Sequence, residues 1–146
     1  SKEMADAIFE VVQDFDIFIS TAAVSDFEVV KPKNKKIDSE SSLSINLKPT
    51  IKIIRQIKKI NPDIFLVGFK VEFNITRDEI IYCARKQIDN AGTDIVVAND
   101  VSNKDCNFGS DKNEVLIIDD DVLSVPLASK DEIAKTIMNV ISEKTS

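Results

Sequence analysis

Two hydrophobic periods alternate along this chain. Residues 2–14 place Met4, Ile8, Val11 and Val12 at helical spacing, with Phe15 just beyond and acids between them, which predicts an amphipathic helix. Residues 16–20 (DIFIS), 64–71 (IFLVGFKV) and 94–98 (DIVVA) are short, nearly continuous apolar runs. Such runs suit strands buried on both faces, as in a parallel sheet. Residues 43–47 (LSINL) alternate, as a half-buried strand does. Thr50 is placed to cap a helix over 51–60 with Ile51, Ile54 and Ile57 facing inward, and Asn61-Pro62 ends it. Thr76-Arg77-Asp78-Glu79 is a capping box; Ile80, Ile81, Ala84 and Ile88 continue one helical face until Gly92 closes it. Residues 115–118 and 122–125 alternate around Asp119-Asp120-Asp121, which predicts an antiparallel hairpin. A second box, Ser129 to Glu132, opens a last helix with Ile133, Ile137, Val140 and Ile141 on one side.

Helices alternating with buried strands define an α/β domain. The expected architecture is a Rossmann-like three-layer sandwich, with a mostly parallel sheet and an antiparallel hairpin near the C-terminus. Residues 16–20, 64–70 and 94–98 are expected as parallel neighbours, and residues 1–146 as a single domain. Gly68 breaks the second run, and glycine inside a strand marks close approach by a ligand or another element.

Composition narrows the chemistry. A net charge of -6 disfavours a general nucleic-acid binder. Histidine is absent, which excludes Ser-His-Asp and Cys-His catalysis and His-ligated metals. Cys83 and Cys106 have no metal-ligand spacing, and Cys83 on the apolar side of its helix is expected to be a buried thiol. Two lone cysteines without a signal sequence fit a reducing cytoplasm, and no run reaches the ~20 apolar residues of a membrane span. Against the acidic background, residues 28–42 gather Lys31, Lys33, Lys35 and Lys36 around a proline. This basic strap reads either as a solvated loop or as a lid whose lysines meet phosphates. The Asp119–Asp121 run reads as a solvated turn or a divalent-metal site. Each parallel strand ends in small or polar groups, Ser25-Asp26, Lys70-Glu72 and Asn99-Asp100, on the edge where open α/β sheets bind ligands.

Five motifs in order give these ends a closer meaning: Ala22-Ala23-Val24-Ser25-Asp26-Phe27, Lys36-Ile37 ten residues after Asp26, Val67-Gly68-Phe69-Lys70-Val71-Glu72, Ala98-Asn99-Asp100-Val101-Ser102 and Phe108-Gly109-Ser110-Asp111-Lys112-Asn113. Together they resemble phosphopantothenate–cysteine ligase, over nearly the whole chain. The resemblance implies a coenzyme A biosynthesis enzyme, usually dimeric, in which CTP (ATP in some relatives), with Mg2+, activates 4′-phosphopantothenate as an acyl-cytidylate. The cysteine amine then displaces CMP. It implies that Ala22, Ala23 and Asp26 meet the base and ribose. Lys36 would close over the nucleotide and intermediate as a catalytic strap lysine, and Phe69, Asn99, Asp100 and Phe108 would line the nucleotide site. Phe73 stands where that family often has threonine. Nothing matches the family's amino-terminal strand, glycine-rich turn and asparagine-serine-glycine segment, so the expectation is a carboxy-terminal portion of a ligase. The flavin-dependent decarboxylase often fused ahead of it is expected to be absent from this chain, and no flavin is expected in it. The alternative is a non-catalytic nucleotide-binding or dimerisation module.

Overall fold

The computed structural model describes residues 2–32, 35, 42–102, 106 and 109–146. In chain order the elements are α1 (Lys2–Val11), β1 (Ile17–Ser20), β2 (Phe27–Val29), β3 (Leu47–Pro49), α2 (Ile54–Ile60), β4 (Phe65–Glu72), α3 (Arg77–Ala91), β5 (Ile95–Asp100), β6 (Lys112–Ile118), β7 (Val122–Ser129) and α4 (Lys130–Thr145). The main sheet has the order β1-β4-β5-β6-β7, and β2 and β3 form a separate ribbon. β1, β4 and β5 run parallel; β6 and β7 are antiparallel.

Burial on both faces of the central strands follows from two-residue alternation. In β5, Ile95 and Val97 join Val67, Val115, Ile117 and α4 residues Ile133, Ile137 and Ile141 in one core. Val96 and Ala98 point the other way, to Ile80 and Ala84 of α3. Leu66 of β4 packs with Ala5 of α1 and Ile57 of α2. Three helices thus cover one face of the sheet and α4 covers part of the other, which is the expected three-layer α/β sandwich. Both capping boxes form: Thr76 with Glu79, and Ser129 with Glu132. Gly92 closes α3 at φ 68°, a left-handed conformation that glycine adopts without Cβ strain.

Four expectations are corrected. β1 is half-buried at every position, because its only sheet neighbour among the described residues is β4. In the first helix Ala5 and Val12 are the buried positions, while Met4, Val11 and Phe15 are exposed. α1 stops at Val11, and the tighter 3-10 turn over Val12–Asp14 changes which residues face inward. Residues 43–46 are not a strand. Leu47–Pro49 is, pairing with Phe27–Val29, and Leu43, Ile45 and Leu47 are exposed because the ribbon has no sheet beneath it. Thr50 does not cap α2, whose N-terminus at Ile53 carries no side-chain cap. The Thr50 hydroxyl donates instead to the Ser25 carbonyl at 2.5 Å.

Candidate functional site

Parallel pairing sets the carboxyl ends of β1, β4 and β5 on one edge, with Ser20 opposite Gly68 and Lys70 opposite Ala98. A cleft of about 610 Å³ opens there. Its floor is the chain leaving β1, from Ser20 to Asp26, whose small side chains expose backbone to a ligand. Phe69, Lys70 and Val71 line it from β4. The second wall is Thr50–Arg55 together with Cys83, Lys86, Gln87 and Asn90 of α3. Four of the residues expected at the site, Ala22, Ala23, Asp26 and Phe69, are therefore brought together in one cleft. Asn99 and Asp100 lie at the same edge but outside the cleft lining. Asn99 is buried, with its amide donating to Asn113 Oδ1 at 3.4 Å. Lys36 and Phe108 lie outside the described residues, as do Lys33 and most of the strap; Lys31 and Lys35 are exposed.

The second wall escaped the motif reading. Its signal is present in the sequence: Cys83, Lys86, Gln87 and Asn90 recur at steps of three and four, one face of a helix. Cys83 is thus corrected from a buried thiol to a half-buried one in the cleft wall, while Cys106 is buried.

The cleft's charge opposes that of the chain. Lys52, Arg55, Lys70 and Lys86 line it against one carboxylate, Asp26, in a protein of net charge -6. Lys52 Nζ is paired with Asp26 Oδ1, and Lys70 Nζ with Glu72 at 3.0 Å. Among the described residues Arg55 and Lys86 make no ion pair, which leaves two cations free for a ligand. The hydrogen bond from Lys52, then its charge, holds the Asp26 carboxyl below the usual carboxylate range, and the charge of Lys70 adds to this. Asp26 is thereby a committed anion and acceptor.

Asp100 is committed differently. Burial works against its charged form, but hydrogen bonds from the Ser102 amide and hydroxyl and from the Asn74 and Ile75 amides outweigh it and hold the pKa down. Its carboxylate fixes the turn in which Asn74 adopts φ 54°. The Asp119–Asp121 run is the hairpin turn: Asp119 accepts from the Asp121 amide at 2.7 Å and pairs with Lys144. Among the described residues no three His, Cys, Asp or Glu side chains group as metal ligands, and no helix is long and apolar enough to cross a membrane.

Asp26, Glu79, Asp100, Asp119 and Glu132 all have pKa values lowered by the fold. Groups depressed on folding contribute stability above their unfolded pKa, and that contribution is lost as pH falls through the folded value. With no histidine to titrate, the melting temperature should stay nearly level from pH 8 to 5 and fall below about pH 4, where unfolded carboxyls take up protons. Thermal melts by circular dichroism across this range check it; a step near pH 6.5 would contradict it.

A parallel α/β sheet with a cationic cleft at its strand ends places the chain in the class of Rossmann-like domains that bind ligands at that edge. The comparisons narrow the class. The family model of the DNA/pantothenate metabolism flavoprotein C-terminal domain matches residues 1–145, and the chain belongs to that family. It is 39% identical over 145 residues to the coenzyme A biosynthesis bifunctional protein CoaBC of Thermococcus kodakarensis, covering 97% of this chain and 35% of that protein. To CoaBC of Methanocaldococcus jannaschii it is 34% identical over 143 residues, covering 98% of this chain and 35% of the relative. The chain therefore spans about a third of the length of these curated relatives. The crystal structure of a DNA/pantothenate metabolism flavoprotein from Streptococcus pneumoniae superposes with a TM-score of 0.84 at 27% identity, over 99% of this chain and 70% of that one.

Proposed function

We propose that this chain carries the ligase chemistry of coenzyme A biosynthesis, joining 4′-phosphopantothenate to cysteine at the expense of CTP. The observation that carries the reading is the cleft: four cations and bare backbone at the strand ends of a family member similar to CoaBC. The reaction brings a triphosphate and a phosphorylated carboxylate together, so the protein's task is to position anions and offset their charge. In the first step a carboxylate oxygen bonds to the α-phosphorus and pyrophosphate leaves. In the second the cysteine amine bonds to the acyl carbon, CMP leaves, and the amine loses a proton.

In this reading Ala22 and Ala23 give the base and ribose an unobstructed backbone, Asp26 accepts from ribose hydroxyls, and Phe69 lines the pocket. Lys36 is the catalytic lysine that closes over the intermediate; Asn99, Asp100 and Phe108 complete the nucleotide site from the neighbouring strand end and loop. Arg55 and Lys86 supply the cations free to meet phosphates. Mg2+ fits as part of the nucleotide substrate, because the lining offers it one carboxylate, Asp26, beside the Ser20, Thr21 and Ser25 hydroxyls. When bound, it would neutralise phosphate oxygens.

We infer that the chain works beside a flavin-dependent decarboxylase, as the bifunctional relatives suggest, and in a reducing cytoplasm, a redox setting that its two free thiols support. A homodimer is supported by the exposed apolar side chains Phe27, Val29, Ile45 and Leu47 on or beside the ribbon.

Calorimetric titration with CTP tests the nucleotide site. The chain should bind CTP, and Asp26→Asn should weaken binding about tenfold, the scale of one hydrogen bond to a charged group, while lowering the melting temperature only slightly, as befits an exposed ion pair. Unaltered affinity would remove Asp26 from the site, and a collapsed melt would make its role structural. Pyrophosphate release and phosphopantothenoylcysteine formation, measured in the full-length protein, separate the ligase from a module that only binds nucleotide.

A further inference from the structure

We propose that Lys52 makes the cleft selective for phosphorylated nucleosides over bare nucleosides, by occupying Asp26 until a phosphate chain draws it away. The inference rests on the nucleotide reading above. It starts from the way two distant loops are joined. The Thr50 amide donates to the Asp26 carbonyl at 3.0 Å and the Thr50 hydroxyl to the Ser25 carbonyl at 2.5 Å. Phe27 pairs with Pro49 one step further along the ribbon. These bonds bring the backbone of Ser25 and Asp26 alongside Thr50, two residues before Lys52. The ion pair is therefore placed by backbone, in the cleft lining itself.

The pair is placed but not locked. The Lys52 and Asp26 side chains are 41% and 66% exposed, so solvent screens their attraction and the pair opens at little cost. A nucleoside must compete with Lys52 for the Asp26 carboxylate and offers only neutral hydroxyls in exchange. A phosphate chain offers Lys52 a partner of higher charge and several acceptor oxygens. Arg55 follows three residues after Lys52 in the same wall, and Lys86 of α3 lines the cleft as well. Once Lys52 turns to phosphate, Asp26 is free for the sugar, and Lys70 continues to favour its charged form. Phosphate binding and sugar binding are then coupled through one side chain, and the coupling is reciprocal.

The test is calorimetric titration of CTP and of cytidine against the wild-type chain, Lys52→Met and Lys52→Arg, with a thermal melt of each. Lys52→Met should weaken CTP about tenfold, the loss of one charge-assisted contact, and should tighten cytidine, because nothing then competes with its hydroxyls for Asp26; an unchanged cytidine affinity would overturn the coupling and leave Lys52 a plain phosphate contact. The ratio of CTP to cytidine affinity should therefore fall by more than about tenfold, and Lys52→Arg should keep most of it. A merely structural Lys52 would move both ligands by one factor and shift the melt. If wild type binds CTP and Lys52→Met leaves the ratio intact, the coupling proposed here is overturned while the nucleotide site stands. If wild type binds no CTP, the nucleotide reading falls and this inference with it.

Discussion

Replacing Lys36 with alanine should slow phosphopantothenoylcysteine formation about 10²-fold in the full-length enzyme, the scale of removing one transition-state donor. Lys33→Ala, three residues away in the same basic strap, should change it little. The contrast matters because both substitutions remove one positive charge, so a strap that acted as a diffuse positive field would respond alike to either. A positioned cation responds to one. Lys36 lies outside the described residues, and its case is made by the family resemblance, which sets it ten residues after Asp26. The cations of the lining, Lys52, Arg55, Lys70 and Lys86, would meet the phosphates of the bound nucleotide, while negative charge must shift from the α-phosphate to pyrophosphate as the reaction proceeds. A lysine closing from outside the described wall would supply cation where that charge develops. If so, kcat should carry most of the loss and the Kd for CTP should move little, since only contacts stronger in the transition state accelerate the step. Equal, small effects of the two substitutions would end the assignment of Lys36.

The elements that were legible in the sequence are those whose causes are local. Both capping boxes are reciprocal bonds across three residues, and the β5 run buries both faces because every residue in it is apolar up to Asn99. What was illegible depends on partners distant in sequence. Residues 17–20 carry an apolar run like that of β5, yet they are half-buried, because a central strand differs from an edge strand by its neighbours and not by its composition. Thr50 reads as a helix cap, but its hydroxyl finds Ser25, 25 residues away, and this contact builds the cleft wall. At the site, the motif residues Ala22, Ala23, Asp26 and Phe69 were readable as a group, whereas Lys52 enters through the Thr50 contacts and Arg55, Lys86 and Gln87 because α2 and α3 pack over the same strand end. Asp100 was readable as a strand-end acid, but not its partners: its carboxylate accepts from the Asn74 and Ile75 amides after β4 and from the Ser102 amide.

Gly68→Ala should destabilise the protein by about 1–3 kcal/mol, the usual cost of overpacking a filled site. A Cβ at residue 68 would overlap Gln87 Nε2 outright and stand 3.1 Å from Thr93 Cγ2 and 3.3 Å from Ile54 Cδ1. Glycine is needed here for room, not for backbone freedom: it is the point where the α3 side chain of Gln87 crosses the strand. Gln87 Nε2 and Thr93 Oγ1 are buried there without hydrogen-bond partners among the described residues, so displacing Gln87 breaks no bond. The flexible end of Gln87 is what yields, and its exit is the cleft it already lines. The substitution should therefore weaken CTP binding as well as stability, unlike an ordinary core change. Gln87→Ala in the same chain removes the obstacle. The double variant should recover much of the loss, giving a coupling of about 0.5–3 kcal/mol in a double-mutant cycle of thermal or urea unfolding. Strict additivity would mean that the contacts with Thr93 and Ile54 set the cost of the methyl group, and that Gly68 serves the packing of α2 and α3 and not the shape of the cleft.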